Sequence, residues 1–302
     1  MGDTRLDHVA LAVWRWSDAR ATLVDKLGGR WMGGVRMPEY NPCQLAFANG
    51  MRVELLEPGT DDSSFLARFL ARSGAGPHHV TFKVDDIRVA IRRARDAGLQ
   101  IVRERLDNPA WQEAFLHPRS TGVGFVIQLA QSDIAPGAAM ASAPGAVSAA
   151  EAGLSPTAVP ETAAAPATPN AAASASASAS IPFFSAAVPD LDDATALLTE
   201  VLHGQAVVEG ADHGVRFRMV SWQADTARIV LTESVPAEGS PTEGVLTAAT
   251  GDPRAETPPV GITALAATAG ADPGLPAENH IDGWDVTPIL PELGVRLLTK
   301  FR

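Results

Sequence analysis

The chain carries one short pattern twice, and that repetition limits its fold more than anything else in it. Near the N-terminus, Leu6-Asp7-His8-Val9-Ala10-Leu11-Ala12-Val13 opens an alternating run on a histidine, and Gly76-Pro77-His78-His79-Val80-Thr81-Phe82-Lys83-Val84 does so again. A helical stretch and shorter strands follow each run. Each copy then closes on a strand with a polar residue among apolar ones: Arg52-Val53-Glu54-Leu55-Leu56 in the first, Phe125-Val126-Ile127-Gln128-Leu129-Ala130 in the second. The spacing from His8 to Glu54 nearly equals that from His79 to Gln128. Two βαβββ units with matched polar positions form an internal repeat, which is weighed before any local motif. The expected fold is α+β, with the paired units forming a cupped mixed sheet.

Side chains alternate between the two faces of a strand. Val9, Leu11 and Val13 lie opposite His8, which shares its side with the small Ala10 and Ala12 and so has room for a ligand. In the second run, taking Val80, Phe82 and Val84 as the buried face puts His78 with them. His79 then turns to the other side with Thr81 and Lys83, which makes it the candidate ligand. On the returning strand, Val53 and Leu55 face one way and Arg52 and Glu54 the other. An isolated His-His pair packs or caps as readily as it binds; the second copy is what points to a metal.

Local signals fill in the units. Ser17 is placed to cap a helix through Ala21, Val24 and Leu27 that stops at Gly28-Gly29. Asn49-Gly50 marks a tight hairpin. Phe65, Leu66, Phe69 and Leu70 make a one-sided helical stripe capped by Asp62 or Ser63, and Asp85-Asp86 cap a helix with Ile87, Ile91 and Ala94 inward. Arg88, Arg92, Arg93 and Arg95 are expected to form its solvated side, with attraction of a phosphate as the lesser alternative.

Beyond Asp133 the composition turns to Ala, Pro, Ser and Thr, the signature of a flexible linker over 133–180. Order resumes at Ile181, where the strand 181–188, a helix 192–201 and the strand 227–233 read as a third copy. A short fourth starts near Pro259 and ends near Leu298. Here the positions matching His8, Glu54, His79 and Gln128 become Phe183, Val230, Gly261 and about Leu298, none of them a donor. His203, His213 and His280 read as surface residues. The expected division is 1–132, a metal-binding unit; 133–180, the linker; and 181–302, a degenerate copy without metal ligands.

Composition narrows the functional classes. A net charge of −11 over 302 residues argues against nucleic-acid binding, which needs a basic footprint. Most of that excess lies in 181–302, so the first unit is nearly balanced and can still take an anionic substrate. The single cysteine, Cys43, excludes an internal disulfide and fits a reducing compartment. No signal-peptide pattern opens the chain, and no apolar run approaches the roughly 18 residues that span a membrane. The expected location is cytoplasmic.

Leu6-Asp7-His8-Val9-Ala10, Gly76-Pro77-His78-His79-Val80, Val84-Asp85-Asp86-Ile87 and Phe115-Leu116-His117-Pro118-Arg119-Ser120 resemble the vicinal oxygen chelate superfamily over residues 5–131. That superfamily includes glyoxalase I, methylmalonyl-CoA epimerase, extradiol dioxygenases and the fosfomycin and bleomycin resistance proteins, and the epimerase branch is the most similar. The resemblance implies a divalent ion held by His8, Glu54, His79 and Gln128. Two imidazoles, a carboxylate and an amide oxygen suit Zn, Ni, Co, Mn or Fe(II).

The resemblance further implies an isomerase or lyase acting through an enolate on a small carbonyl compound or acyl-CoA thioester, and it is compatible with a homodimer. An Fe(II) dioxygenase and a ligand-sequestering protein are the alternatives. The chain departs from the epimerase pattern at Gln128 and Gln44, where carboxylates are expected. The candidate bases are then Glu54, Glu113 or a metal-bound hydroxide.

Overall fold

The computed structural model describes residues 4–134, 138–157, 178–212, 214–222, 227–234, 261–270, 272–281 and 283–301. Two sheets divide them. The first contains β1 (Thr4–Ala12), β2 (Arg30–Val35), β3 (Tyr40–Ala46), β4 (Arg52–Pro58), β5 (Gly76–Val84), β6 (Ile101–Arg105), β7 (Gln112–Leu116), β8 (Val126–Gln131) and β9 (Ala146–Val147). The second contains β10 (Ser180–Val188), β11 (Gln205–Asp212), β12 (Val215–Ser221), β13 (Arg228–Glu233), β14 (Gly261–Ala269), β15 (Asn279–Ile281), β16 (Trp284–Val286) and β17 (Arg296–Phe301).

The strand orders are β6-β7-β8-β5-β1-β4-β3-β2-β9 and β11-β12-β13-β10-β14-β17-β16-β15. Apart from the added β9, the second order is the first read backwards, so the 180s onward repeat the paired βαβββ plan. The histidine strands β1 and β5 lie side by side and antiparallel at the centre, each flanked by its own closing strand in parallel, β4 and β8. This arrangement brings residues more than a hundred positions apart onto one patch of sheet.

Alternation decides which face is which. Val9, Leu11, Val13, Val53, Leu55, Val80, Phe82 and Ile127 join one large core that also takes in Phe184, Ile229, Leu265 and Leu297 of the second unit. The two units share it directly, Phe82 packing on Trp222 with ring centroids 4.9 Å apart. They approach closely enough that Gly294 (φ 63°) has no room for a side chain: a Cβ there would lie 1.9 Å from the Ala75 carbonyl oxygen. Asn49, in the hairpin turn, bridges them by donating to the Ile181 carbonyl and accepting from its N–H.

Helices cover the core as their stripes dictate, with two changes of cap. Helix Ile87–Asp96 starts at Asp86, whose side chain accepts from the Val89 N–H, and buries Ile87, Ala90, Ile91 and Ala94. Helix Phe65–Ser73 is capped by Ser64, not by Asp62 or Ser63. Asp61 instead binds Ser63, closing a turn one residue earlier. The helical segment Trp16–Lys26 begins before Ser17, which therefore cannot cap it, and Gly28 ends it at φ 66°.

Part of the Ala/Pro/Ser-rich segment is packed. Residues 146–147 pair with β2, and Ala152 and Leu154 are buried in the main core. Segment-wide composition hides these few apolar contacts. Residues 158–177 and His213 lie outside the described residues. Among those described, no helix is long and apolar enough to cross a membrane.

Candidate metal centre

The face opposite the shared core carries small residues at its centre and ligating atoms around them. Ala10 and Ala12 lie there beneath Leu66 and Leu70, with Tyr40, Phe65 and Phe69 beside them. In register, Ala10 is flanked by Glu54 on β4 and His79 on β5, and His8 by Arg52 and Thr81. Gln128 on β8 pairs with Thr81.

His8, Glu54 and His79 are all buried, and their ligating atoms lie within 4.8 Å of one another. Glu54 Oε2 stands between the imidazoles, 3.5 Å from His8 Nε2 and 3.6 Å from His79 Nε2. His79 Nε2 is buried without a hydrogen-bond partner. An imidazole nitrogen left unsatisfied beside a carboxylate and a second imidazole fits a divalent ion at their centre.

Two irregularities in strand pairing place the partners of these histidines. The β1–β5 register slips by one residue between Leu6 and His8 and again between Ala10 and Leu11. The extra residues are Asp7 and His78, and each is turned toward the ligand histidine that follows it. Asp7 Oδ2 lies 2.7 Å from His8 Nδ1, and His78 Nδ1 lies 2.9 Å from His79 Nδ1. Each imidazole is therefore gripped at Nδ1 and points Nε2 inward, the arrangement by which outer partners fix the tautomer of a ligating histidine.

This corrects the expectation that His78 packs with Val80 and Phe82. Strict alternation fails at a bulge, and His78 instead meets Phe65 and Phe69, at centroid distances of 5.5 and 5.1 Å.

Charge follows this geometry. For Asp7, burial raises the pKa, but the hydrogen bond to His8 and the charges of His8, Arg52 and Lys83 outweigh it and hold it at about 2. Arg52 also forms an ion pair with Asp7. Burial works against a charge on His8, yet Glu54 and Asp7 push its pKa up to about 9. His79 is driven well below its usual value by burial and by its histidine neighbours, and His78 falls to about 4 through burial. Without an ion, the cluster thus favours a cationic His8 beside neutral His78 and His79.

Gln128 is on the expected face, beside His79, but its amide is engaged with other neighbours. Its oxygen accepts from Thr81, and its Nε2 donates to Glu113 Oε2 at 2.7 Å. Thr81 in turn lies 2.9 Å from His8 Nε2. Glu113, also buried, accepts from Trp111 Nε1 at 2.9 Å and has Arg105 Nη1 at 3.6 Å. Gln44 lies across from Glu54 and donates to it at 3.4 Å. The residues that sequence reasoning left without a role here are Asp7, Thr81, Trp111 and Tyr40. Asp7 had a visible signal, standing next to a ligand histidine.

A family model described as the Glyoxalase/Bleomycin resistance protein/Dioxygenase superfamily matches residues 7–115. The chain is 35% identical over 133 residues to the mitochondrial methylmalonyl-CoA epimerase of Bos taurus, a match covering 42% of this chain and 74% of that protein. The chain belongs to this superfamily.

An ethylmalonyl-CoA/methylmalonyl-CoA epimerase of Cereibacter sphaeroides is 29% identical over 132 residues, 42% of this chain and 97% of that one. A variant of 4-hydroxymandelate synthase from Streptomyces coelicolor has the same fold over both units. It shows a TM-score of 0.57 and 14% identity, covering 90% of this chain and 72% of that one.

The second unit keeps the superfamily plan without its donors. Phe183 pairs with Arg228 and Ala266 as His8 pairs with Arg52 and Thr81, so Phe183 stands for His8 and Val230 for Glu54. Ser185 pairs with Ala264 as Ala10 pairs with His79. The counterpart of His79 is therefore Ala264, and Gly261 corresponds to Gly76. The sequence alignment was off by three residues because no histidine marks the register there. Leu298 does match Gln128. Phe183, Trp284, Ala264, Ala266 and Leu298 cluster on this face.

Proposed function

We propose that the chain is a metal-dependent isomerase or lyase of the epimerase type, moving a proton next to the carbonyl of a small carbonyl compound or acyl-CoA thioester. The reading rests on one observation above all: two buried imidazole nitrogens converge on a carboxylate, and one of them is otherwise unsatisfied. Its similarity to methylmalonyl-CoA epimerases supports the substrate class. A zinc, nickel, cobalt, manganese or ferrous ion held by His8, Glu54 and His79 would supply Lewis-acid polarisation of the substrate carbonyl. Gln128 would serve as a fourth ligand only by exchanging its bond to Thr81 for one to the ion.

The chain's own residues supply the rest. Proton removal needs a carboxylate within reach of the carbon acid but not committed to holding the ion. Glu113 meets that requirement. Trp111 and Gln128 both donate to its Oε2 and fix it beside the cluster, while Glu54 stands between the two imidazoles. Neutral Gln44 and Gln128 cannot accept the proton. Burial of these groups keeps water from competing for it.

The test is solvent-deuterium entry at the α-carbon of methylmalonyl-CoA with the metal-loaded protein. Wild type exchanges, Glu113→Gln loses exchange while keeping its metal, and Gln128→Glu exchanges faster. No exchange from wild type or Gln128→Glu with any of the five metals rules the reading out.

A second reading has an observation of its own. With Gln128 turned to Glu113, the donor set is two histidines and one carboxylate, which also suits a ferrous oxygenase. Iron-dependent oxygen consumption without deuterium exchange would establish it.

A further inference from the structure

Lys83 is the buried charge that the proposed proton transfer leaves unused. It stands on β5 on the same face as Thr81 and His79, is only 8% exposed, and rests its ammonium 4.2 Å from the centre of the Trp111 ring. Among the described residues it makes no hydrogen bond and no ion pair. Asp7 and Asp133 are the carboxylates that act on it, and neither pairs with it. Asp7 is already bound to His8 and Arg52.

A lone ammonium held this far from water is costly unless something anionic completes it. The other buried charges on this face have partners: Arg52 has Asp7, Glu54 has the histidines, and Glu113 has Trp111, Gln128 and Arg105; Arg5, opposite Lys83 in register, is exposed to water and adds positive charge beside it. A divalent ion among the histidines would add further positive charge, so the loaded face calls for an anionic ligand.

We propose that Lys83, backed by Trp111, anchors a carboxylate that the substrate carries besides its carbonyl. This rests on the reading that the substrate's carbonyl meets the His8–Glu54–His79 cluster. Lys83 follows His79 by four strand positions and shares its row with Ala130 and Glu113. Its separation from the cluster is on the order of 10 Å at the strand's rise per residue. The Lys83 side chain covers part of that distance, so the substrate class is an acyl or keto compound that carries a carboxylate besides its carbonyl. Trp111 does two jobs in this arrangement: its face supports Lys83 and its N–H holds Glu113.

The experiment is calorimetric binding of acetate, malonate, succinate, glutarate and adipate to the full zinc-loaded chain, with no turnover involved. Removing a charge-assisted bond costs about tenfold to a hundredfold in affinity. Lys83→Met is expected to lose that factor for glutarate and adipate, to bind acetate as wild type does, and to keep its zinc. Lys83→Arg should retain glutarate within a few-fold.

Equal glutarate binding by wild type and Lys83→Met overturns the proposal, as does an equal loss for acetate and glutarate, which would mark Lys83 as merely structural. Because binding is read directly, absence of deuterium exchange would sink the enolisation reading without deciding this one.

Discussion

His78 offers the sharpest test of how the strand irregularities serve the site. Its Nδ1 and that of His79 lie 2.9 Å apart, so they share a single proton. Burial keeps both rings neutral at pH 7. For His79 Nε2 to offer a lone pair to an ion, the proton must sit on His79 Nδ1 and be donated to His78. His78→Phe keeps an aromatic ring among Phe65 and Phe69 but removes the acceptor. The change leaves a buried N–H unpaired, at about 1–3 kcal/mol, and frees His79 to adopt the tautomer that cannot ligate. Losing such an outer partner weakens a metal about tenfold to a hundredfold, or about 1.4–2.7 kcal/mol. Competition with a chromophoric zinc chelator at neutral pH reads this directly. Asp7→Asn should weaken zinc at least as much, because Asp7 holds both His8 and Arg52. Zinc bound equally well by His78→Phe and wild type would refute the tautomer argument.

Further outcomes follow from the same geometry. His8→Ala and His79→Ala should each strip the ion, since an open three-donor site cannot replace a lost imidazole; elemental analysis after gel filtration reads this, and full occupancy in both would remove the assignment. Wild type should hold about one ion per chain, because Phe183, Val230, Ala264 and Leu298 offer no donor, and mass spectrometry of the native protein would expose a second. The metal-free protein should be most stable near pH 6.5, measured by urea unfolding. His8, raised from 6.5 to about 9, contributes stability that is lost as pH climbs through 9, whereas the lowered His78 and His79 contribute stability that is lost as pH falls below 6.5, through about 4 for His78. Asp7, lowered to about 2, adds a loss at still lower pH. A stability curve rising steadily from pH 5 to 9 in the metal-free protein would contradict the assigned shifts.

The parts of this molecule legible in the sequence are those governed by period and repetition. Alternation alone separated Val9, Leu11 and Val13 from His8, and the second copy of the pattern brought Glu54 and His79 into the reckoning before any distance was known. What alternation cannot show is its own interruption. An inserted residue leaves no mark in composition, so His78 was expected in the core and Asp7 had no stated role, although both grip the ligand histidines. The Gln128 position was legible but its orientation was not, because that depends on Glu113 arriving from a neighbouring strand and on a Thr81 hydroxyl two residues along from His79. In the second unit β10 and β14 carry no histidine to mark the register, and the counterpart of His79 was placed three residues too early.

Those interruptions also occur where they hold no metal. The β10–β14 register slips by one residue between Ser180 and Phe183 and again between Ser185 and Ala186. The extra residues in the two regions correspond to Asp7 and His78; in the latter case it is Thr263, whose hydroxyl meets Ser185 at 3.0 Å. Pro182, beside the first slip, has no N–H to offer a ladder, and a slip is where a strand tolerates such a residue. The distorted backbone is thus a property of the architecture that both copies inherit, and chemistry is a layer of side chains written onto it. A second metal site would not need new strands or turns: Phe183, Val230 and Ala264 already occupy the three ligand stations, and histidine, glutamate and histidine are all they lack.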